Sequence, residues 1–390
     1  MIANYICESI SRGSIIRVMF EKGKKLKATK SSHEIFDLTL GNPILEPPPA
    51  YFQALSEFAE LQNSQLHRYM SNVGFDFVRE NIAQYLNQKQ ILSEVNKDHI
   101  VMTAGAACGI NIILKAILNP GDEVIIFAPY FVEYIHYVIG HQGKPVIVNT
   151  RDDFLLDLDL LEQKITPRTK ALIINSPNNP SGRLYPQHQL KILVDILNQK
   201  QREYRTEIAL ISDEPYRELV YDNKITPSVA AMYDNSFIVY SWSKSLSIPG
   251  DRIGYVAFNP RIHTTRILDA LSFCLRLLGF VNASAPMQWI VNKLIGVSVD
   301  ISYYEKKRNR IFQTLTNAGY ELIKPEGTFY VFPRAPHNDA LGFTQMAMEQ
   351  GILLVPGQGF GWPTHFRIAF CTDEPTIDGA LNGLVKLFSS

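Results

Sequence analysis

An apolar run that passes directly into polar residues, Phe237-Ile238-Val239-Tyr240-Ser241-Trp242-Ser243-Lys244, gives the strongest indication of how this chain folds. Two other apolar runs stop in the same way. Residues 171–175 lead into Ser176-Pro177-Asn178-Asn179-Pro180-Ser181-Gly182, and residues 208–212 lead into Asp213-Glu214-Pro215-Tyr216. In an open parallel sheet, the loops at the carboxyl ends of the strands share one crevice, and ligands bind there. We therefore expect these three polar segments to meet at one site.

Short apolar runs alternate with helical stretches from about residue 51 onwards, at 100–103, 124–127, 146–148, 171–175, 208–212, 237–240 and 253–258. This alternation predicts an α/β fold in which helices flank a mostly parallel, doubly wound sheet. After about residue 288, a long helical stretch, short strands at 329–332 and 366–370 and a final helix predict a smaller α+β domain. Residues 14–27 have the pattern of an amphipathic packing helix.

Two domains are expected, because 390 residues is long for a single core. We assign residues 49–288 to a large cofactor-binding domain and residues 1–48 and 289–390 to a small domain formed by the two chain ends. Lys+Arg and Asp+Glu balance at 38 each, which argues against nucleic acid or an anionic membrane as a partner. The chain lacks a signal core and a membrane-spanning apolar run, so a cytoplasmic location is expected. Its four cysteines are far apart and indicate neither a metal site nor a disulfide framework.

Lys244 is the candidate for a covalent bond to a cofactor. A lysine amine that acts as a nucleophile or proton carrier must lie near a carbonyl and stay partly unprotonated. Most lysines that follow a strand are simply solvated. Here, however, Ser241, Ser243 and Arg252 lie close by in the chain and supply the donors that a phosphate needs. This combination indicates pyridoxal phosphate, an aldehyde cofactor that a lysine holds as a Schiff base.

Asp213 and the residues around it suit the ring of such a cofactor. Asp213 follows an apolar strand, and a carboxylate there either caps a turn or pairs with a protonated pyridine nitrogen, which makes the ring an electron sink. Tyr216 is either a packing residue or a donor to the phenolic oxygen. Asn179 lies in a segment that forms a turn whatever its function, and its side chain is a second candidate for the same oxygen.

Three other positions are candidates for binding. Small residues at Ala106 and Ala107 open a helix after a strand, and they either allow a phosphate to approach the helix N-terminus or merely permit tight packing. Phe131 also follows a strand and is either a ring-stacking residue or part of the core. Arg367 interrupts an apolar strand, where its charge needs an anionic partner such as a substrate carboxylate.

Together these motifs resemble those of the fold-type I, class I/II pyridoxal-phosphate aminotransferases, the broad group that contains the bacterial aspartate and aromatic aminotransferases. The resemblance runs from Leu40-Gly41-Asn42-Pro43 to Arg367, and it is most specific at Asn179-Pro180-Ser181-Gly182, at the segment from Asp213 to Tyr216, and at Ser241-Trp242-Ser243-Lys244. It implies an enzyme that moves an amino group between an amino acid and a 2-oxo acid by ping-pong transamination through a Lys244 Schiff base.

The resemblance also implies a role for each matching residue. Lys244 forms the Schiff base and carries the proton, Asp213 holds the pyridine nitrogen, and Asn179 and Tyr216 contact the phenolic oxygen. The remaining positions divide between the phosphate (Ala106, Ala107, Ser241, Ser243 and Arg252), the face of the ring (Phe131) and the substrate α-carboxylate (Gly41, Asn179 and Arg367). Tyr69 matches a tyrosine that reaches the phosphate of the neighbouring subunit, which implies a homodimer with shared sites.

One departure bears on the choice of substrate. Ala107 stands where a subgroup of bacterial aspartate aminotransferases has a lysine that helps to bind a side-chain carboxylate, which weakens a strict aspartate assignment. Arg276 either takes over that role or lies on a helix surface. Two alternatives to transamination also stay open at this point. One is another reaction on the same scaffold, as in a carbon–sulfur β-lyase or a decarboxylase, and the other is a non-catalytic protein that binds pyridoxal phosphate.

Overall fold

The computed structural model describes residues 1–2, 6–7, 35–264 and 266–389. Its central element is a seven-stranded sheet, built from β2 (Ile100–Thr103), β3 (Glu123–Ala128), β4 (Lys144–Asn149), β5 (Thr169–Asn175), β6 (Ala209–Asp213), β7 (Ser236–Ser241) and β8 (Gly254–Phe258). The strand order is β2-β8-β7-β6-β5-β3-β4. Each of the seven apolar runs expected from the sequence therefore forms a strand of one sheet.

The helices around this sheet and after it account for the expected helical stretches that lie within the described residues. They are α1 (Pro49–Glu60), α2 (Asp76–Gln88), α3 (Ala106–Ile117), α4 (Glu133–Gly140), α5 (Leu158–Lys164), α6 (Gln187–Tyr204), α7 (Trp242–Ser245), α8 (Ile267–Leu277), α9 (Ala285–Asn292), α10 (Ile301–Asn317), α11 (Ala340–Glu349) and α12 (Glu374–Ser389). The α/β fold with a mostly parallel sheet flanked by helices is confirmed.

The middle of the sheet sets the position of the site. Strands β3 to β7 run parallel in their pairings, while β8 is antiparallel to both of its neighbours. Strands β6 and β7 are buried along their whole length, as strands covered by helices on both faces are. Asn175 pairs with Asp213, and Asp213 pairs with Val239. This register brings the carboxyl ends of β5, β6 and β7 to one edge of the sheet.

A second core lies beside the sheet. Three short strands, β9 (Tyr330–Val331), β11 (Val355–Pro356) and β12 (Phe366–Ala369), form an antiparallel sheet in the order β11-β12-β9. A separate parallel pair joins β1 (Phe36–Asp37) to β10 (Ile352–Leu353). Helices α10 and α12 contribute buried apolar residues such as Ile311 and Leu384 to the same core, which also includes Leu38 from near the start of the described chain.

These features agree with the smaller α+β region expected from the sequence. The strand expected at 329–332 is only two residues long, Tyr330–Val331. The boundaries at residues 49 and 288 stay a prediction, and the helix predicted for residues 14–27 lies outside the described residues. No helix in the described ranges is both long enough and apolar enough to cross a membrane.

Candidate active site

A cavity of about 290 Å³ opens where β5, β6 and β7 end. It brings together every site residue predicted from the sequence except Tyr69: Gly41, Ala106, Ala107, Phe131, Asn179, Asp213, Tyr216, Ser241, Ser243, Lys244, Arg252 and Arg367. The convergence expected from the three strand ends is therefore present, and it also includes residues from the smaller sheet.

Lys244 lies in α7, the single helical turn that follows β7. The side chain of Ser241 caps this turn, because its hydroxyl accepts a hydrogen bond from the Ser243 backbone N–H at 3.2 Å. The Lys244 amine donates to the Gly41 carbonyl oxygen at 2.5 Å. Burial of the amine lowers the pKa of Lys244 to about 8, and the positive charges of Arg367 and Arg252 act in the same direction. A substantial share of this amine is therefore neutral near physiological pH.

Asp213 ends β6 with its two carboxylate oxygens in different situations. Tyr134 donates a hydrogen bond to Oδ2, whereas Oδ1 is buried and has no hydrogen-bond partner among the described residues. Burial raises the pKa of Asp213 to about 7, and the Glu214 charge adds to this rise while the Tyr134 hydrogen bond opposes it. A buried acceptor oxygen without a donor is costly, so Oδ1 suits a ligand that brings an N–H group.

Two residues that sequence reasoning missed hold this end of the site together. The Asn175 side chain donates to the Asp213 carbonyl oxygen at 2.9 Å and accepts from the Asn179 backbone N–H at 2.8 Å. Asn175 is the last residue of β5, so its position opposite Asp213 follows once the register is known. Tyr134 is the second, and the only signal for it was its position shortly after Phe131, on the first turn of α4.

The opposite end of the cavity has the features of a phosphate site. Helix α3 begins at Ala106, and Ala106 and Ala107 of its first turn, where backbone N–H groups have no partner within the helix, line this end of the cavity. Gly105 precedes this helix with a φ of +85°, and a Cβ there would lie 2.6 Å from Arg252 Nη2. The Ser241 and Ser243 hydroxyl oxygens lie 2.7 Å apart beside the same cavity. A guanidinium, hydroxyls and a helix N-terminus together suit an anion.

Arg367 occupies the side of the cavity that faces the smaller sheet. Its residue is only 2% exposed, and it donates to Asn179 Oδ1 at 3.1 Å and to the Thr39 carbonyl oxygen at 2.6 Å. The guanidinium lies 4.5 Å from the ring centre of Tyr330 and 5.0 Å from that of Phe360. Burial lowers the pKa of Arg367, and no carboxylate among the described residues forms an ion pair with it. A substrate carboxylate is the kind of partner that this buried cation lacks.

Two residues from the sequence analysis lie elsewhere. Tyr69 is 97% exposed and does not line the cavity of its own chain. Arg276 is exposed on α8 and lies over the ring of Phe273 at 5.6 Å, which matches the helix-surface alternative within a single chain. The described residues also contain no group of three or more His, Cys, Asp or Glu side chains that could hold a metal ion.

The residues of the cavity fit pyridoxal phosphate. A lysine amine with a lowered pKa suits the aldehyde, the unpartnered Asp213 Oδ1 suits a pyridine N–H group, and the α3 N-terminus with Arg252 suits the phosphate. The fold and the site together define a fold-type I pyridoxal-phosphate enzyme.

Comparison with known proteins places the chain within this class. The family model described as aminotransferase class I and II matches residues 33–384, and the chain belongs to that family. An amino transferase from Eubacterium rectale has a solved structure with a TM-score of 0.95 and 36% identity, covering 100% of this chain and 99% of that one.

Curated relatives are similar over nearly their whole length. An aspartate aminotransferase from Thermotoga maritima is 29% identical over 99% of this chain and 100% of its own. A probable aspartate/prephenate aminotransferase from Thermus aquaticus is 30% identical over 92% of each chain. The protein is therefore a pyridoxal-phosphate-dependent aminotransferase that transfers an amino group between an amino acid and a 2-oxo acid. Nothing in these comparisons favours the lyase, the decarboxylase or the non-catalytic alternative.

Proposed function

We propose that Lys244 binds the cofactor covalently and carries the proton of transamination. Bound pyridoxal phosphate acts as an electron sink that makes the Cα proton of an attached amino acid acidic. The lowered pKa of Lys244 leaves part of its amine neutral near pH 7, so that Nζ is able to accept this proton. The hydrogen bond from Nζ to the Gly41 carbonyl oxygen holds the amine beside the substrate end of the cavity.

Asp213 keeps the pyridine nitrogen protonated in this proposal. Its Oδ1 would accept a hydrogen bond from the pyridine N–H group, while Tyr134 donates to Oδ2 and so helps to fix the plane of the carboxylate. A cationic partner stabilises the ionised form of Asp213, which reverses the rise in its pKa caused by burial. Tyr216 and Asn179 donate to the phenolic oxygen, and Phe131 packs on the face of the ring.

In this proposal, two other parts of the cavity bind anions: the cofactor phosphate and the substrate α-carboxylate. Ala106 and Ala107 at the α3 N-terminus, together with Ser241, Ser243 and Arg252, hold the phosphate. Arg367 binds the α-carboxylate of the substrate, and Gly41 and Asn179 border the same space. One observation supports the proposal most strongly. Lys244, whose pKa is lowered, and Asp213 Oδ1, which has no hydrogen-bond partner among the described residues, lie in the same cavity.

Borohydride reduction tests the role of Lys244. Reduction of the holoenzyme followed by peptide mapping is expected to find the cofactor on Lys244. Lys244→Ala is expected to abolish multiple turnover, while Lys191→Ala, which removes an exposed lysine from the surface of α6, leaves it unchanged. Normal multiple turnover by Lys244→Ala would contradict the proposal.

For the amino donor we propose an α-amino acid recognised first by its α-carboxylate. The names of the relatives from Thermotoga maritima and Thermus aquaticus make aspartate the first donor to examine. Titration of the yellow holoenzyme with a panel of amino acids is expected to convert it to the pyridoxamine form, and 2-oxoglutarate is expected to reverse the change. Pyruvate or ammonia release without an oxo-acid acceptor would instead indicate a lyase.

We also propose a homodimer in which Tyr69 reaches the neighbouring site. Exposed apolar side chains cluster where α8 ends: Phe273, Leu277, Phe280 and Val281. The segment that carries Tyr69 adjoins them, because the Asn72 side chain donates to the Val281 carbonyl oxygen at 2.8 Å. Helix α8 packs on α3, whose N-terminus lines the phosphate end of the cavity. A second copy on this patch would bring its Tyr69 towards that end.

Complementation distinguishes a shared site from a separate one. Tyr69→Ala and Lys244→Ala are each expected to be nearly inactive, and a mixture that has exchanged subunits is expected to regain activity. In the mixed dimer, one site combines an intact Lys244 with an intact Tyr69 from the other chain. A monomeric mass in solution, or no recovery in verified mixed dimers, would contradict the proposal.

A cytoplasmic location is proposed with the enzyme. It is supported by the balance of 38 Lys+Arg against 38 Asp+Glu, which gives the chain no excess charge that would attract it to a membrane surface. Cell fractionation that compares the activity with membrane and secreted markers tests it, and recovery with the membrane fraction would contradict it.

A further inference from the structure

Tyr330 lies where the cofactor and substrate parts of the cavity meet, and sequence reasoning gave it no role. It belongs to β9, is 3% exposed and lines the cavity. Its hydroxyl oxygen lies 3.1 Å from the hydroxyl oxygen of Tyr216. A Cβ placed on Gly41 would lie only 1.8 Å from the same Tyr330 oxygen, so this hydroxyl packs directly against the Gly41 backbone. Tyr330 therefore touches both halves of the site.

The hydroxyl pair has one proton between its two oxygens. Burial raises the pKa of both Tyr216 and Tyr330, so each phenol keeps its proton at neutral pH. If Tyr330 supplies the shared proton, the proton of Tyr216 is free to point into the cavity. If Tyr216 supplies it, Tyr216 has no proton left to donate to a ligand. The direction of this one hydrogen bond thus decides what Tyr216 is able to do.

Arg367 favours Tyr330 as the donor. Its guanidinium lies 4.5 Å from the centre of the Tyr330 ring, and the positive charge there stabilises negative charge on the phenol. A more acidic phenol is a stronger hydrogen-bond donor. The charge of Arg367 opposes the rise in the pKa of both phenols, but the guanidinium lies over the ring of Tyr330.

We propose that Tyr330 is a positioning residue whose hydroxyl donates to Tyr216 Oη and thereby turns the Tyr216 proton towards the phenolic oxygen of the cofactor. This inference rests on the role proposed above for Tyr216. It gives Tyr330 two separable contributions. The hydroxyl acts on Tyr216, and the ring supports the Arg367 guanidinium that binds the substrate carboxylate.

The pH at which the bound cofactor changes from yellow to colourless reports the first contribution. Hydrogen-bond donors to the phenolic oxygen stabilise the negative charge on that oxygen. The oxygen then stabilises the proton on the Lys244 nitrogen less, so the pKa of this nitrogen falls. Tyr330→Phe is expected to raise this transition pH by about 0.5 to 1 unit, the effect of one modest hydrogen bond. Tyr320→Phe is the matched control, because it removes a buried hydroxyl of the same core that donates to the Leu384 carbonyl oxygen instead.

The double variant separates positioning from a general structural effect. Tyr216→Phe is expected to raise the transition pH further than Tyr330→Phe, and adding Tyr330→Phe to it is expected to change nothing more. An additive shift, or no shift in Tyr330→Phe alone, would overturn the proposal. If Tyr216→Phe itself gave no shift, the role of Tyr216 and this inference would both fail, while the assignment of Lys244 would stand.

Steady-state kinetics report the second contribution. Tyr330→Phe keeps the ring beside Arg367, so the KM for the amino donor is expected to change by less than about twofold. Tyr330→Leu removes the ring and is expected to raise the KM roughly three- to tenfold, the size of a cation–π contact. An equal rise in both variants would mean that the hydroxyl binds the substrate directly, and this would overturn the positioning role.

Discussion

The two halves of the cavity are built in different ways. The cofactor half comes from consecutive strand ends, where Asp213 and Lys244 extend from β6 and from the turn after β7. The carboxylate half is assembled from distant parts of the chain, since Arg367 donates to the carbonyl oxygen of Thr39 and to the side chain of Asn179. The first half is fixed by sheet register, and the second depends on packing between the sheet and the smaller core. We therefore expect substitutions in the first half to affect the chemistry and those in the second to affect substrate binding.

Replacement of Asp213 is the strongest test of the cofactor half. Asp213→Asn keeps the shape and the contact with Tyr134 but removes the negative charge opposite the pyridine nitrogen. Loss of one partner from a buried charge pair costs several kcal/mol, so kcat is expected to fall about 10²- to 10³-fold. The KM for the amino donor is expected to change little, because Arg367 is untouched. Single-turnover kinetics provide the measurement, and a kcat within tenfold of the parent would contradict the assigned role.

Arg367→Lys is the corresponding test of the carboxylate half. The charge stays, but the planar fork that donates to Asn179 and Thr39 is lost, and with it bidentate binding of a carboxylate. The KM for the amino donor is expected to rise roughly 10- to 100-fold, since hydrogen bonds to charged groups contribute about 1.5–3 kcal/mol each. The transition pH of the bound cofactor is expected to move far less than it does in Tyr216→Phe. A fall in kcat with unchanged KM would show that the two halves are not separable.

The difference between the two halves of the cavity also explains which site residues could be predicted from the sequence. The meeting of Lys244, Asp213 and Asn179 at one cavity was predictable, because each lies in a polar segment that follows an apolar run and parallel strands align their ends. Tyr134 and Tyr330 were not predictable, because their roles depend on which side chains the register and the packing bring within hydrogen-bond distance. Within the carboxylate half, Arg367 was predictable because a charged residue inside an apolar strand needs an anionic partner.

The raised pKa of Asp213 also predicts how the stability of the cofactor-free protein depends on pH. Its pKa is raised to about 7 in the folded protein, above its ordinary value of 3.8, so between these pH values the folded state binds more protons than the unfolded state. The free energy of unfolding of the cofactor-free protein therefore falls as the pH rises through this range. Asp213→Asn removes this penalty, and its cofactor-free form is expected to melt a few degrees above the parent at pH 8.

Melting temperatures of the cofactor-free parent and the cofactor-free Asp213→Asn variant, measured at several pH values, test this prediction. The difference in Tm is expected to shrink as the pH falls and to vanish at about pH 3 and below, where the parent carboxyl is largely protonated in both the folded and the unfolded state. In the holoenzymes the order is expected to reverse, since the parent Asp213 then has its cationic partner. A pH-independent difference would mean that the asparagine acts through packing rather than through charge.

Replacement of Arg276 is expected to have the smallest effect on the KM, and it tests whether the carboxylate half of the site extends as far as this residue. The side chain is exposed on α8 beside Phe273 and does not line the cavity of its own chain, whose other wall already contains Arg367. Arg276→Gln is therefore expected to change the KM for aspartate and for alanine by less than about twofold, as surface charges contribute little. A rise confined to aspartate would instead show that the side-chain carboxylate is bound by Arg276 across the proposed dimer interface. The substrate half of each site would then extend over two chains, as the phosphate end does through Tyr69 in the proposed dimer.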